Sequence, residues 1–526
     1  MRYLAEGGRI RRAVLLFVFL LPCAALGSGQ SPSVIRYAIS LANPGQHLIR
    51  VKIEIPPGAI AHDLQLPVWN GLYQVRDFAQ YVDWVRGKSP TGQPLSIRKL
   101  DKSSWRLEGA QEGAEVEYEV FADDPGPFGA QLNTQHAFFN LAEILMYPED
   151  ARSLPIHLRF DNVPSGWRAA TALSNSSGEF SADNYDRLVD APVEIGRFEE
   201  SDFDQGGAHY RVVVDANSAE YDMRKIVDIV RQIVATETDW MDERPLDGYL
   251  FLYHVVRDGG GIAMEHADST AIEINASALA HDPQSLADLT AHEFFHLWNV
   301  KRIRPQSLEP IDYTRENYTN TLWFVEGVTT TVADYIRLRA GLLDESRFLQ
   351  GLVWQVKELE QRPAHLTQSA EESSLDAWLE KYSYYSQPQR SISYYNKGYL
   401  LGILLDLEIR EASNRSASLR DLFLWLNQHY AHEGRPFPDS DGVRQAAEAV
   451  THADFGAFFE KYVAGADEIP WDDFFKTIGF RLERKPGREG QFDFELKDVD
   501  NITPQQKARR AAWLKGESEP SGDPHR

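Results

Sequence analysis

The hydrophobic period of this chain changes once, near residue 216, and that change limits what it can fold into. Before it, apolar residues fall at every second position. Leu48 to Ile55 and Glu115 to Val120 are two such runs, and alternation of this kind makes strands with one buried face. Clusters such as Pro56-Pro57-Gly58 and Asp123-Asp124-Pro125-Gly126-Pro127 punctuate them. After it, Ile226, Val227, Ile229, Val230, Ile233 and Val234 recur at helical spacing. Short strands follow at Tyr249 to Val256 and near Thr270 to Ile274, then helices over Leu286 to Val300 and Thr321 to Ala340. From about 345 onward nearly everything reads as helical, including Lys397 to Arg410 and Leu419 to Tyr430. The period therefore predicts a multidomain α+β chain: a β-rich, sandwich-like domain, an α/β domain, and a helical C-terminal region.

At 526 residues the chain exceeds one ordinary core, so several domains are expected. The predicted boundaries are 28–215 for the β-rich domain, 216–345 for the α/β domain and 346–485 for the helical part. Residues 486–526 are polar and read as a disordered tail. The net charge of -24 repels phosphate backbones, so nucleic acid is not an expected partner.

Residues 1–27 read as a secretory signal. Arg9, Arg11 and Arg12 precede the apolar run Ala13 to Leu21, and Ala25-Leu26-Gly27 is a cleavage site in form. Export to a periplasmic or extracellular space is expected, with no integral membrane segment in the mature chain. An uncleaved anchor or a lipoprotein is the competing reading. Cys23, the single cysteine, lies inside this segment, so the mature chain would carry no disulfide.

The chemistry concentrates at His292-Glu293-Phe294-Phe295-His296. Residues four apart on a helix share a face, so both imidazoles can reach one ion. Glu293 then faces a metal-activated water rather than the metal. The bland alternative is a histidine pair on an amphipathic helix. A catalytic zinc takes three protein ligands, and Glu326 sits in the apolar stretch Trp323 to Gly327, where a buried carboxylate needs a partner. Glu309, Asp312, Glu316 and Asp334 are the other nearby acids. Asp334 would serve to orient a histidine or would form a surface ion pair.

Four segments in order resemble the glycyl aminopeptidase family of zinc peptidases, M61. They are GGGIAMEHADST (259–270), HEFFHLWNVKRIRP (292–305), WFVEGVTTTVADY (323–335) and SYYNKGYLLGILLDLEIR (393–410). The family is related to the M1 aminopeptidases, whose site is thermolysin-like. The resemblance implies one zinc per chain held by His292, His296 and Glu326, with Glu293 as general base. It implies an oxyanion role for Tyr395, with Tyr394 as rival. Ala263-Met264-Glu265-His266 resembles the relatives' Gly-x-Met-Glu-Asn segment, where the glutamate binds the substrate's amino terminus. Ala and His replace Gly and Asn here, which weakens that assignment. Glu265 pairing with a basic residue stays open, and His266 either binds substrate or orients Glu265. Family members often carry a PDZ domain after the helices. Only about 45 residues follow Phe480, so no PDZ-mediated partner is expected.

The expected activity is aminopeptidase cleavage of peptides with small amino-terminal residues such as Gly or Ala. An endopeptidase with the same zinc, or a catalytically silent exported zinc-binding protein, are the alternatives. The last would show a lost ligand or base, and none is lost.

Overall fold

The computed structural model describes residues 33–216, 220–487 and 492–516. The signal-peptide reading and Cys23 lie outside the described residues.

The alternating segments form strands as their period requires. Ile35–Asn43 pairs antiparallel with Leu48–Ile55, Ile39 opposite Val51, and Leu48–Ile55 pairs with Ala114–Phe121. These belong to an eleven-stranded sheet whose last strands lie at Ser174–Ser176 and Glu179–Ala182. A four-stranded sheet contains Ala130–Leu132, Ala137–Phe139, Arg168–Ala170 and Val193–Gly196. Ile39, Val51 and Val116 of the first sheet share one core with Leu132, Phe139 and Ile195 of the second. Two sheets closing over a common apolar layer is the stable solution for one-faced strands.

The next sheet has five strands, in the order Glu199–Gln205, Ala208–Asp215, Gly248–Val256, Ser269–Asn275, Ile262–Glu265. The three central strands are parallel and both edges are antiparallel. The helix Met223–Trp240 crosses between the first two parallel strands, burying Ile226, Val230, Ile233 and Val234. This corrects the 28–215 boundary. Residues 199–215 pair into the five-stranded sheet, because a two-residue period says that a segment is a strand but not which sheet receives it.

The helices that follow include Glu345–Glu360, Tyr394–Ala412, Leu419–Leu426 and Asp439–Thr451. No helix among the described residues is long and apolar enough to cross a membrane.

The disordered tail expected over 486–526 is also corrected. Phe480–Pro486 and Phe492–Asp498 form a hairpin, and Pro504–Lys515 is a helix ended by Gly516 at φ 69°. Average polarity concealed one anchor. Trp513 is buried against Phe348, and its indole N–H donates to the Tyr335 hydroxyl at 2.8 Å. Residues 517–526 lie outside the described residues. Trp513→Ala is expected to cost about 3–5 kcal/mol, the usual loss for a buried aromatic. Chemical denaturation of the variant checks this, and an unchanged midpoint would show the helix to be dispensable.

Glu237 gives a second test. It is fully buried within the Met223–Trp240 helix, and neither carboxylate oxygen has a hydrogen-bond partner. Burial pushes its pKa well above the carboxylate range. The folded chain therefore retains a proton that the unfolded chain releases once pH passes the ordinary value. Stability from this group is full below that value and falls as pH rises. Glu237→Gln should have little effect on melting temperature near pH 4 and raise it progressively toward pH 8. A pH-independent difference would refute the assignment.

Candidate metal centre

The helix Leu286–Phe295 carries the histidine pair, and its intervening residues explain its seat. Phe294 packs against Tyr249, Phe251 and Trp298, and Phe295 against Trp240 and Phe423. Both phenylalanines are fully buried, so the helix cannot rotate without unburying them. The opposite face presents His292 and His296, with their Nε2 atoms 3.0 Å apart.

Glu326 arrives on a π-helical turn, Trp323–Val328, which continues as the α-helix Thr329–Arg339. Its Oε2 lies 3.4 Å from His292 Nε2 and 3.5 Å from His296 Nε2. Ligands at about 2.0–2.2 Å around a tetrahedral zinc sit roughly 3.3–3.5 Å from one another. The three donors thus stand near the spacing one ion would impose. Glu326 is buried, which by itself would raise its pKa, yet the imidazoles of His296 and His292 outweigh burial and bring it down to about 2. Burial likewise disfavours a charged His296, but the carboxylate of Glu326 and then those of Glu265 and Glu293 lift it to about 10. The acids of this cluster favour positive charge at His296, which suits a cation site.

The other ring nitrogens are fixed. His296 Nδ1 donates to the Asn299 carbonyl at 2.6 Å, and His292 Nδ1 lies 3.2 Å from the Thr330 hydroxyl. That leaves each Nε2 as the free donor, the tautomer a metal ligand needs. Asn299 does more: its amide donates to the Phe324 carbonyl at 3.1 Å and to Thr329 Oγ1 at 3.0 Å. One side chain therefore fastens the π-helical turn of Glu326 to the end of the histidine helix. Asp334 is engaged elsewhere, accepting from Tyr399 at 2.9 Å and lying 3.4 Å from Arg337. Thr330 stands where Asp334 was considered as the orienting group.

Glu293 is buried, and its Oε2 has no hydrogen-bond partner. Burial pushes its pKa well up, opposed by His296. An orphaned buried carboxylate oxygen beside three converging donors fits a site that holds a metal-activated water. Oxygen atoms of Glu265 and Glu293 and a ring nitrogen of His296 all lie within 4.8 Å of one another. Glu265 ends the edge strand Ile262–Glu265, with Ala263 opposite Ile272 and Met264 opposite Ala271.

Met264 is largely buried, and its sulfur accepts from the Asn140 amide at 3.2 Å. Beside it and Glu265 opens a cavity of about 340 Å³, walled also by Trp69, Tyr73, Arg304 and Tyr313. His266 is not a cleft contact. It is 1% exposed, and its Nδ1 lies 3.1 Å from Asp190, which also receives Lys301 at 3.0 Å. Through Nδ1 it braces the turn after the strand.

Tyr395 and Tyr394 separate clearly. Tyr394 is 4% exposed, whereas Tyr395 is 41% exposed with its ring centroid 6.2 Å from that of His292. Enclosure by the cleft walls, then the charge of Glu326, keeps the Tyr395 hydroxyl protonated far above the ordinary range. Two glycines allow this approach. A Cβ on Gly327 would meet Gly398 Cα at 2.5 Å, and one on Gly398 would meet the Trp323 carbonyl oxygen at 2.1 Å. Sequence reasoning missed Tyr73 from the N-terminal domain and Glu380, both of which feel the charge of Glu326. Burial first, and then Glu326, raise Glu380 to about 7. Neither residue carries a local motif that would have marked it.

The geometry has counterparts among known proteins. The model of the peptidase M61 N-terminal domain matches residues 36–197, and that of the M61 glycyl aminopeptidase matches 285–401. Together they take in more than half of the chain, and the second contains all three converging donors. The chain belongs to peptidase family M61. It is a metallopeptidase by that membership. An aminopeptidase N family protein from Idiomarina loihiensis is similar at 28% identity and a TM-score of 0.81, over 86% of this chain and 79% of that one. A variant M1 zinc metallopeptidase from Deinococcus radiodurans, bound to a Tyr-Ser-Ala substrate, shares the fold. Its identity is 13% and its TM-score 0.50, over 84% of this chain and 95% of that one. No match was found among curated proteins.

Two variants of the M61 chain test the arrangement. Thr330→Val removes the hydroxyl at His292 and should weaken zinc affinity or activity about 10–100-fold. Glu293→Gln should retain zinc while losing about 10²–10⁴-fold in kcat. Metal analysis beside steady-state kinetics checks both; loss of zinc in Glu293→Gln would make it a ligand instead of a base.

Proposed function

We propose that the chain is an exported zinc aminopeptidase that removes small amino-terminal residues, such as Gly or Ala, from peptides. The observation that carries this reading is the position of Glu265, whose carboxylate stands within 4.8 Å of Glu293 and His296 at the end of an edge strand. A carboxylate beyond the cation site suits a substrate ammonium group. The free edge of Ile262–Glu265 suits an extended peptide backbone. The cavity beside Glu265, walled by the N-terminal domain, suits a chain end better than a continuing polypeptide.

In this proposal His292, His296 and Glu326 hold one zinc in a thermolysin-like site. Zinc there supplies Lewis acidity toward the scissile carbonyl and the attacking water. Glu293 takes the proton from that water, its buried Oε2 having no other hydrogen-bond partner. The same carboxyl then carries the proton to the leaving amine. Tyr395, held protonated, donates a hydrogen bond to the oxygen that gains negative charge. Glu265 accepts from the substrate ammonium, while Ala263 and Met264 offer backbone groups along it.

The reading is tested with matched peptides carrying free and acetylated amino termini. Free Gly- and Ala-peptides should be cleaved, and acetylated ones should not. Glu265→Gln should raise KM for free peptides more than it lowers kcat. Tyr395→Phe should lower kcat about 10²–10³-fold with little effect on KM. Equal cleavage of acetylated peptides would establish an endopeptidase with the same site.

A further inference from the structure

Four metal-ligating side chains meet at a second place, away from the cleft. His136 precedes the strand Ala137–Phe139, and Glu194 lies on Val193–Gly196 beside it. Asp215 ends the strand Ala208–Asp215, and His254 lies directly opposite it on Gly248–Val256. The first pair belongs to the N-terminal β domain and the second to the five-stranded sheet. Their donor atoms lie within 4.8 Å of one another. His136 Nδ1 stands 2.8 Å from Asp215 Oδ2 and 3.2 Å from Glu194 Oε1, and His254 Nε2 stands 2.8 Å from Glu194 Oε2.

Glu194 is 1% exposed and the His254 side chain 8%, so these polar groups are held out of water. The buried Glu194 carboxylate and the partly buried Asp215, 27% exposed, leave a charge that is best balanced locally. One divalent cation balances it with both imidazoles neutral. Two imidazole nitrogens and two carboxylate oxygens make a four-donor set of the kind that suits zinc. The present separations are a few tenths of an ångström shorter than the roughly 3.3–3.5 Å of a tetrahedral shell. Modest side-chain movement opens them. The outer groups are in place. His136 Nε2 is 3.1 Å from Gln131 Oε1, which fixes its tautomer with Nδ1 toward the carboxylates. Phe138 packs edge-on to the His254 ring at 4.8 Å. A cavity of about 650 Å³ bordered by His136, Asp215 and His254 gives an ion its way in.

We propose that His136, Glu194, Asp215 and His254 form a second, structural zinc site that ties the N-terminal β domain to the catalytic sheet. Four protein donors leave no open position for substrate, so its role is to hold the two units in register. The expected content therefore rises from one zinc per chain to two.

The test is metal analysis of the full chain after dialysis against trace zinc. The wild type should hold two zinc ions per chain. His136→Ala should hold one and keep its peptidase activity, and His292→Ala should also hold one but be inactive. The zinc-dependent rise in melting temperature should be larger in the wild type than in His136→Ala. Glu194→Gln is a second variant with the same expectation. Anomalous diffraction at the zinc edge on wild-type crystals gives a reading that needs no variant to fold. One zinc in the wild type, or no anomalous peak at this cluster, would overturn the proposal and leave the four side chains as a hydrogen-bonded ion-pair cluster. A second zinc that persists in His136→Ala would equally overturn it by placing that ion elsewhere.

Discussion

The contact between Gly327 and Gly398 is the constraint on which the candidate centre rests. Any side chain at either position would collide with the backbone of the opposite helix at well under van der Waals distance. With hydrogen in both places, the π-helical turn bearing Glu326 lies directly on the helix that begins at Tyr394. That single approach sets two functional groups at once. It directs Glu326 toward the histidines and brings Tyr395 alongside His292. Gly402 extends the seam one turn further, close to Thr331. The glycines thus do in packing what the ligands do in chemistry.

Convergence has an electrostatic cost that the surroundings offset. Glu293 and Glu265 on one side and Glu326 on the other crowd around His296, an arrangement that a cation would stabilise. Asn299 and Thr330 fix the histidine tautomers, and Asn299 also fastens the turn of Glu326. The bond to Asn299 is local to the end of the histidine helix, but those from Thr330 to His292 and from Asn299 to Phe324 join separate elements, so the centre is rigid only when these elements are assembled. The N-terminal β domain takes part through Tyr73 and Trp69, which wall the cavity beside Glu265, and through Asp190, which anchors His266 and Lys301. It is part of the active cleft and not merely an accessory.

Local periodicity was legible wherever one segment decided the outcome. Alternation placed Leu48–Ile55 and Ala114–Phe121 as strands, and helical spacing placed Met223–Trp240. It failed where partners lay far away. The strands over 199–215 joined the five-stranded sheet because Gly248–Val256 pairs with Ala208–Asp215, which in turn holds Glu199–Gln205, and nothing in their own pattern says so. The polar C-terminal segment folds because Trp513 finds Tyr335 and Phe348. His266 turned inward because Asp190 waits for it across 76 positions.

The sequence by itself determined the histidine pair and the carboxylate beside it, because four residues of helix fix the common face of the pair without help from the rest of the chain. It also marked Glu326, since a carboxylate in an apolar helix demands a partner. Only the tertiary structure decided which of two adjacent tyrosines faces the cleft, which hydroxyl orients His292, and where Glu265 stands. The same holds for the meeting of His136, Glu194, Asp215 and His254. Those placements depend on contacts between elements tens to hundreds of residues apart, and such contacts leave no period or spacing in the sequence to be read.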